Sequence, residues 1–234
     1  SFKRGIRKSL PQSILDNEDV MDDFRVYLGA SEPAAYATCA LQVLSETDSS
    51  VTPEKDRAVY YSVFDFGGGT SDFDYGCWRL AGPKERSYHY VIEQFHSGGD
   101  VLLGGEHIIR LMAYETFKAN VGIMREKGIT IAKPEEALLF PGIEMLLVES
   151  GQANYNLWRL AERMRSIWEE SADARSSNSE VSVTLFARGE EQPISVKLTV
   201  DVEALKSMIK KRIERGVDNF FTGLYHAIKD KKIS

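Results

Sequence analysis

A strand that runs directly into three glycines most constrains how this chain can fold. Residues 58–66 (AVYYSVFDF) are β-branched and aromatic, which predicts a buried strand, and glycines 67–69 follow at once. Two later segments, 72–80 and 87–95, alternate or run apolar, and Gly82-Pro83 between them predicts a turn. The three segments therefore predict an antiparallel meander.

Helical patterns dominate the rest of the chain. They predict helices over 31–46, 106–120, 135–149 and 154–170, and a long amphipathic helix from 202 to about 229. Residues 181–187 and 194–201 alternate, and Gly189 between them predicts a hairpin turn. The sequence thus predicts an α/β chain, with a lower unit over 1–106 and an α+β upper unit over 107–234.

Composition excludes several classes of protein. The chain has 234 residues, of which 43% are hydrophobic and 27% charged, as is ordinary for a globular protein. The sequence contains no run of 18 apolar residues, so it predicts no membrane-spanning helix. The net charge of −6 argues against nucleic acid as a partner, although residues 3–8 form a basic cluster. Neither the cysteines nor the histidines have metal-site spacing. We expect a cytoplasmic protein that binds neither nucleic acid nor membranes.

The glycine run has the composition of a phosphate-binding turn. Glycines let backbone N–H groups approach an anion and adopt positive φ, and the Thr70 hydroxyl can donate to a phosphate oxygen. Asp65 and Asp72 can hold the waters of a Mg²⁺ ion. No lysine follows as in a P-loop, and no helix opens here as in a dinucleotide fingerprint. The alternative is a glycine-rich hairpin turn that binds nothing.

The segment 65–72 (DFGGGTSD) resembles the second phosphate motif of the actin, sugar-kinase and heat-shock ATPase superfamily, specifically that of the DnaK-type chaperones. Three further segments of this chain also resemble segments of the family, and they occur in the same order along the sequence. Residues 32–35 (EPAA) resemble the family's Glu-Pro-Thr-Ala-Ala helix start, 99–106 (GDVLLGGE) its Gly-Asp-x-x-Leu-Gly-Gly-Glu segment, and 160–166 (LAERMRS) its Cys-Glu-Arg-Ala-Lys-Arg helix. The resemblance covers about residues 30–230.

The resemblance implies a fold and a ligand. The fold would be a fragment of an actin-like ATPase with a ribonuclease H-like motif, in which the mixed sheet of lobe two carries an α+β upper subdomain. The cofactors would be ATP or ADP with Mg²⁺. The residues implied are Gly67, Gly68, Gly69 and Thr70 for the phosphates, Asp65 and Asp72 for Mg²⁺ through water, Glu32, Asp65 and Thr70 for catalysis, and Glu162 and Arg165 for the ribose.

The sequence also departs from the family's pattern. Ser166 stands where the family has an arginine over the adenine, Glu169 replaces a serine, and His107 replaces an acid. A longer insertion runs over about 121–155. We therefore expect weaker or altered base recognition in a divergent member.

Three functions follow from the resemblance and its departures. The first is an ATP hydrolase whose nucleotide state moves the upper subdomain about a hinge at Gly98, Gly99, Gly104 and Gly105. Because Ser1 is not a methionine and the last helix has no closing element, we expect an excised piece that is inactive by itself. The second is an interaction module with vestigial nucleotide binding, whose upper subdomain docks a nucleotide-exchange factor or co-chaperone. The third is an actin-like polymer subunit, for which the sequence shows no signature of self-assembly.

Several side chains are expected in the core rather than in a site. Cys77 lies in the middle of a predicted strand, and Trp158, Met164 and Trp168 form a stripe on one helix. Phe220, Phe221 and Leu224 are expected on the buried side of the last helix.

Overall fold

The computed structural model describes residues 2–27, 29–171 and 178–231 and is a mixed α/β structure with two small antiparallel sheets. In chain order the elements are α1 Phe2–Ser9, α2 Gln12–Leu15, α3 Glu18–Asp23, α4 Glu32–Thr47, β1 Val59–Phe66, β2 Ser71–Leu80, β3 Tyr90–Asp100, α5 Gly105–Ala119, α6 Val121–Glu126, α7 Gly151–Ser171, β4 Asn178–Leu185, β5 Ile194–Asp201 and α8 Val202–Lys231. None of the helices in these ranges is long and apolar enough to span a bilayer.

The first sheet confirms the predicted meander, with strand order β1-β2-β3 and both pairs antiparallel. β3 begins later than predicted and continues through Gly98 and Gly99 to Asp100. The ladder between β2 and β3 shifts register at Tyr75/Gly76. Gly98 and Gly99, two of the four glycines predicted to act in a hinge, therefore lie within a paired strand.

The two faces of this sheet are covered by different helices. α4 begins at the N-cap Ser31 and buries Ala34, Ala37 and Leu41. α8 packs on the opposite face, where Phe220 makes ring contacts with Phe64 and Phe73. Because side chains alternate along a strand, the apolar face of β2 meets α8 and its acidic face meets α4.

The second unit is built around α5, α7 and the β4–β5 hairpin. Its buried core includes Met112, Phe117, Leu160 and Met164. Asn120 ties α5 to the hairpin, because its side chain donates to the carbonyl of Thr199 at 2.8 Å and accepts the N–H of Thr199 at 2.9 Å. The hairpin turn is confirmed, with Gly189 at φ 79°.

The helix predicted over 135–149 is wrong. The segment consists of turns and one bridge, Ile131 to Leu147. Pro141 lacks the N–H that a helix interior needs, and Gly142 has φ 86°, which breaks helical geometry. Ile143 and Leu146 of this apolar segment are nevertheless buried, although the segment is not a helix.

α8 joins the two units, because Leu205 and Ile209 belong to the larger core and Ala227 to the cluster under the first sheet. Cys77 and Met164 are buried as predicted. The prediction for Phe221 is wrong, since 58% of it is exposed. Trp158 is also half exposed rather than buried, while the side chains of Trp168 and Glu169 lie outside the described residues.

Candidate functional site

The connection between β1 and β2 is an exposed four-residue turn, Gly67 to Thr70, here called the glycine turn. The N–H of Gly67 donates to the carbonyl of Thr70 at 2.8 Å and closes the hairpin. Gly68, Gly69 and Thr70 are exposed. Within the described ranges, their backbone N–H groups donate to no acceptor. The prediction of positive φ is wrong, since the three glycines all have other conformations.

Packing within the chain does not explain two of the three glycines. A Cβ at Gly67 would lie 2.9 Å from the carbonyl oxygen of Thr70, so a side chain there is hindered. A Cβ at Gly68 or Gly69 would meet nothing within 4 Å among the residues that the structure describes. With neither a clash nor positive φ to require glycine, the property that remains is an open backbone that another molecule can approach closely.

The carbonyl oxygens of the glycine turn cap the N-terminus of α5. The N–H of Gly105 donates to the carbonyl of Gly67 at 3.2 Å, and that of Glu106 donates to the carbonyl of Gly68 at 2.8 Å. The N-cap residue Gly104 has no side chain to perform this role. A Cβ at Gly104 would lie 2.3 Å from the carbonyl carbon of Gly69, so helix and turn are in direct backbone contact. The carbonyl oxygens of Gly67 and Gly68 thus accept hydrogen bonds from α5, whereas the N–H groups of residues 68–70 remain available to a ligand.

Two carboxylates flank the glycine turn on the face of the sheet that meets α4. Asp65 and Asp72 are directly opposite each other in the β1–β2 register. The Thr70 hydroxyl donates to Asp72 Oδ2 at 3.1 Å. Among the described residues, no group of three Asp, Glu, His or Cys side chains is placed to hold a metal ion. Mg²⁺ prefers few carboxylates, with water and phosphate completing its octahedron, so a pair of aspartates suits it only when a phosphate is bound.

Glu32 is the first residue of α4 and is exposed. Its neighbour Ser31 donates from Oγ to Asp74 Oδ2 at 3.3 Å, which fixes the start of α4 over the face that carries Asp72. The structure therefore places Glu32 on the same side of the sheet as the aspartate pair, although no described hydrogen bond joins Glu32 to that pair.

Arg165 connects α7 to the start of α5. Its Nη2 donates to Glu106 Oε1 at 2.7 Å and to Glu162 Oε1 at 3.2 Å. These two hydrogen bonds raise the pKa of Arg165. Since the backbone of Glu106 is bonded to Gly68, the predicted phosphate turn and the predicted sugar-binding pair meet at one residue. Sequence reasoning included Glu106 only as a motif letter and missed this link.

Asp74 is a second residue that sequence reasoning missed. It is fully buried and accepts hydrogen bonds from Tyr61 Oη at 2.7 Å, from Ser31 and from Gln94 Nε2. Burial and the bond to Asp74 hold the pKa of Tyr61 well above its ordinary value, and burial with the charge of Asp74 raises the pKa of Tyr75 to about 12. The sequence signal for Asp74 was an acidic residue between two aromatic residues, Phe73 and Tyr75, of the predicted strand. The role of Asp74 is to anchor α4.

Arg212 of α8 is a buried cation below the start of α5. It pairs with Asp100 at 3.2 Å and with Glu136 at 3.1 Å. Within the described residues, the Nε and Nη1 atoms of Arg212 and the Nε2 atom of His107 are buried without a hydrogen-bond partner. Burial and the charge of Arg212 lower the pKa of His107.

No model of a known protein family matches this chain, and no curated protein matches it either. The functional conclusion therefore depends on the geometry and chemistry of the glycine turn and of the residues joined to it.

Proposed function

We propose that the glycine turn binds the phosphates of ATP or ADP together with Mg²⁺, in part of the nucleotide-binding domain of a DnaK-like chaperone ATPase. The observation that carries the proposal is the exposed backbone at Gly68 and Gly69. Its amides are free of partners in the described chain, and no internal contact requires glycine there. Successive backbone N–H groups in a turn can together bind an anion.

The carboxylates beside the turn supply the metal side of this chemistry. A phosphate next to Asp65 and Asp72 would be repelled unless a cation lay between them, and Mg²⁺ held through water provides it. Phosphoryl transfer needs in-line geometry and charge neutralisation more than covalent chemistry. Glu32, Asp65 and Thr70 would position the attacking water and the terminal phosphate.

Glu162 and Arg165 would face the sugar. Arg165 is one third exposed and already lies between two carboxylates, so it is held in place before a ligand arrives. Because Arg165 is connected to Gly68 through Glu106, a change at the turn when phosphate binds would be transmitted to α7. In this proposal, that connection couples nucleotide state to movement of the upper subdomain.

The fold is compatible with lobe two of an actin-like ATPase. An antiparallel three-stranded sheet lies between α4 and α8, and a unit with a β-hairpin follows α5. The three-stranded sheet alone is a common arrangement, so the proposal draws its support from the turn and the carboxylates beside it.

The test is a calorimetric titration of the whole chain with Mg²⁺ and ADP, repeated for Gly68→Val. We expect weak saturable binding that the substitution abolishes, because a branched side chain blocks access to the amides. The matched control is Gly122→Val in α6, where an added Cβ also meets nothing within 4 Å. Binding unchanged in Gly68→Val would remove the turn from the site. We expect no steady-state phosphate release from the chain alone, and turnover would contradict that part.

A second function, an interaction module, is favoured by one observation in the upper unit. Leu138, Leu139 and Met145 are 84%, 68% and 74% exposed, although they stand in an apolar segment. Exposed apolar side chains grouped in one segment are typical of a surface that binds another protein. Calorimetric silence with nucleotide, together with an intact fold, would favour this function over the ATPase.

A further inference from the structure

One face of α7 continues beyond the pair of residues that would hold the sugar. Four residues lie on this face because they follow one another at intervals of three or four: Tyr155, Trp158, Glu162 and Arg165. Arg165 is bonded to Glu106 and is therefore at the end of the face that is joined to the glycine turn. The two aromatic residues are at the other end.

A cavity of about 390 Å³ lies at the aromatic end of this face. Its wall on the α5 side is Arg110, which stands one helical turn after Glu106. On the α7 side its lining includes Asn154, Tyr155 and Trp158. The two helices that are bonded to each other beside the glycine turn thus also border this cavity.

Tyr155 and Trp158 form an aromatic pair at the cavity. Their ring centroids are 5.6 Å apart, and the ring of Tyr155 also packs edge-on against Phe186 at 5.4 Å. Trp158, which the sequence predicted to be buried, is 49% exposed. The pair is therefore held in position by its neighbours while part of the indole ring stays open. Nucleobases stack on aromatic side chains of this kind because every base has a π face.

Arg110 supplies a cation to the same cavity. It is exposed, and no residue in the described part of the chain forms a hydrogen bond or an ion pair with it. Arg165, by contrast, is held between two carboxylates. A guanidinium group can stack on a flat ring or donate hydrogen bonds to its edge. Arg110 is thus able to contact a planar ligand that lies against Trp158.

The spacing along α7 fits the sugar and the base of one nucleotide. Trp158 precedes Glu162 by four residues, which corresponds to about 6 Å along the helix axis at about 1.5 Å per residue. The ring centres of a ribose and its base are separated by a comparable distance. A ribose held by Glu162 and Arg165 would therefore bring its base to Trp158.

Another cavity on α7 offers a base no aromatic surface. It has a volume of about 340 Å³ and lies between the Arg163 to Ser166 part of α7 and residues 182–184 of β4. None of the described residues that line it is aromatic. Ser166 itself stands where the resembled family has an arginine over the adenine. Aromatic stacking is therefore offered at the Trp158 end of α7 and not at the Ser166 end.

We propose that the base of the bound nucleotide stacks on Trp158, in the cavity that Arg110 and Tyr155 also line. This inference rests on the proposed function, in which the glycine turn holds the phosphates and Glu162 with Arg165 holds the sugar. It assigns the base a place two helical turns from Arg165, toward the N-terminus of α7.

The first test compares two ligands by calorimetry on the whole chain: ADP and pyrophosphate, each with Mg²⁺. Trp158→Ala should weaken the binding of ADP about tenfold or more and leave that of pyrophosphate unchanged, because pyrophosphate has no base to stack. Trp158→Phe keeps an aromatic ring and should retain most of the affinity for ADP, even if the alanine variant folds poorly. Tyr225→Ala is the control, since Tyr225 is a helix residue that is 61% exposed and does not line the cavity.

The second test locates the base by tryptophan fluorescence. ADP should quench the emission of the unmodified chain, whereas pyrophosphate should not. Trp158→Phe should abolish this quenching while ADP still binds. Trp78 is buried, so it does not offer a ring face to the ligand. Undiminished quenching in Trp158→Phe would contradict the proposed stacking.

The outcomes distinguish this inference from the proposed function. If Gly68→Val abolishes ADP binding and Trp158→Ala leaves it intact, the stacking site is wrong and the phosphate site stands. Loss of ADP affinity in Arg163→Ala but not in Trp158→Ala would place the base at the Ser166 end and would also overturn the inference. Equal loss of ADP and pyrophosphate binding in Trp158→Ala and in Trp158→Phe would show a structural role for Trp158. If the chain binds neither ligand, the proposed function fails and this inference fails with it.

Discussion

The backbone N–H of Glu106 donates to the carbonyl oxygen of Gly68 at 2.8 Å, although the two residues belong to different elements. The carboxylate of the same Glu106 accepts from Arg165. One residue thus fixes the start of α5 against the glycine turn and binds α7 at the same time. A displacement of the turn must move both helices or break one of these bonds.

Replacing Gly68 should separate stability from binding. An added methyl group meets no described residue within 4 Å, and it restricts the unfolded state, so we expect Gly68→Ala to change the free energy of unfolding by no more than about 0.5 kcal/mol. Under the proposed function, the affinity for Mg²⁺ with ADP should fall at least tenfold. Urea unfolding and calorimetry on the same preparation measure the two quantities. Loss of stability and affinity together would indicate a structural role for this glycine.

Gly104→Ala should destabilise the protein where Gly68→Ala does not. The new Cβ would be forced to within 2.3 Å of the carbonyl carbon of Gly69, and overpacking of this kind costs about 1–3 kcal/mol. Gly105→Ala is the control, because the nearest atom to its Cβ is 4.0 Å away. Thermal unfolding followed by circular dichroism compares them. Equal midpoints would show that α5 and the turn are not in backbone contact.

Asp74→Ala should destabilise the protein far more than Asp65→Ala. Removing Asp74 takes away a fully buried acceptor and leaves the half-buried Tyr61 hydroxyl without its partner, at a cost of about 1–3 kcal/mol. No hydrogen bond from a described residue reaches the Asp65 carboxylate, which lies at the half-buried end of its strand, so its removal should cost under about 1 kcal/mol. Chemical denaturation of both variants provides the comparison, and similar losses would exclude Asp74 as the anchor of α4.

His107 should make the protein less stable as the pH falls. Burial, then the charge of Arg212, lowers the pKa of His107 in the folded state below that of the unfolded state. The unfolded chain therefore takes up the proton first, and stability decreases as the pH drops below about 6.5. His107→Phe should flatten this dependence between about pH 7 and pH 5, whereas His89→Phe at an exposed position should not. Unfolding midpoints measured across that range test the prediction.

Local pattern predicted most of the elements correctly. The order of β-branched residues, glycines and turn residues specified β1, β2 and the β4–β5 hairpin, and Ser31 with Pro33 specified the start of α4. The error over 135–149 arose because apolar spacing suggested a helix while Pro141 and Gly142 prevented one. The spacing of apolar residues does not show which of them pack against another element of the fold. Trp158 and Phe221 were therefore predicted to be buried although both are exposed.

The sequence by itself determined the chemistry available at the glycine turn, because a strand, three glycines, a threonine and two aspartates are contiguous or nearly so. Only the tertiary structure decided which groups of that turn are used by the fold and which are left free. The carbonyls of Gly67 and Gly68 cap a helix that begins far along the chain, and the buried Asp74 gathers donors from three elements. Contacts between distant segments depend on how helices and sheets pack together, and no local pattern of residues encodes that packing.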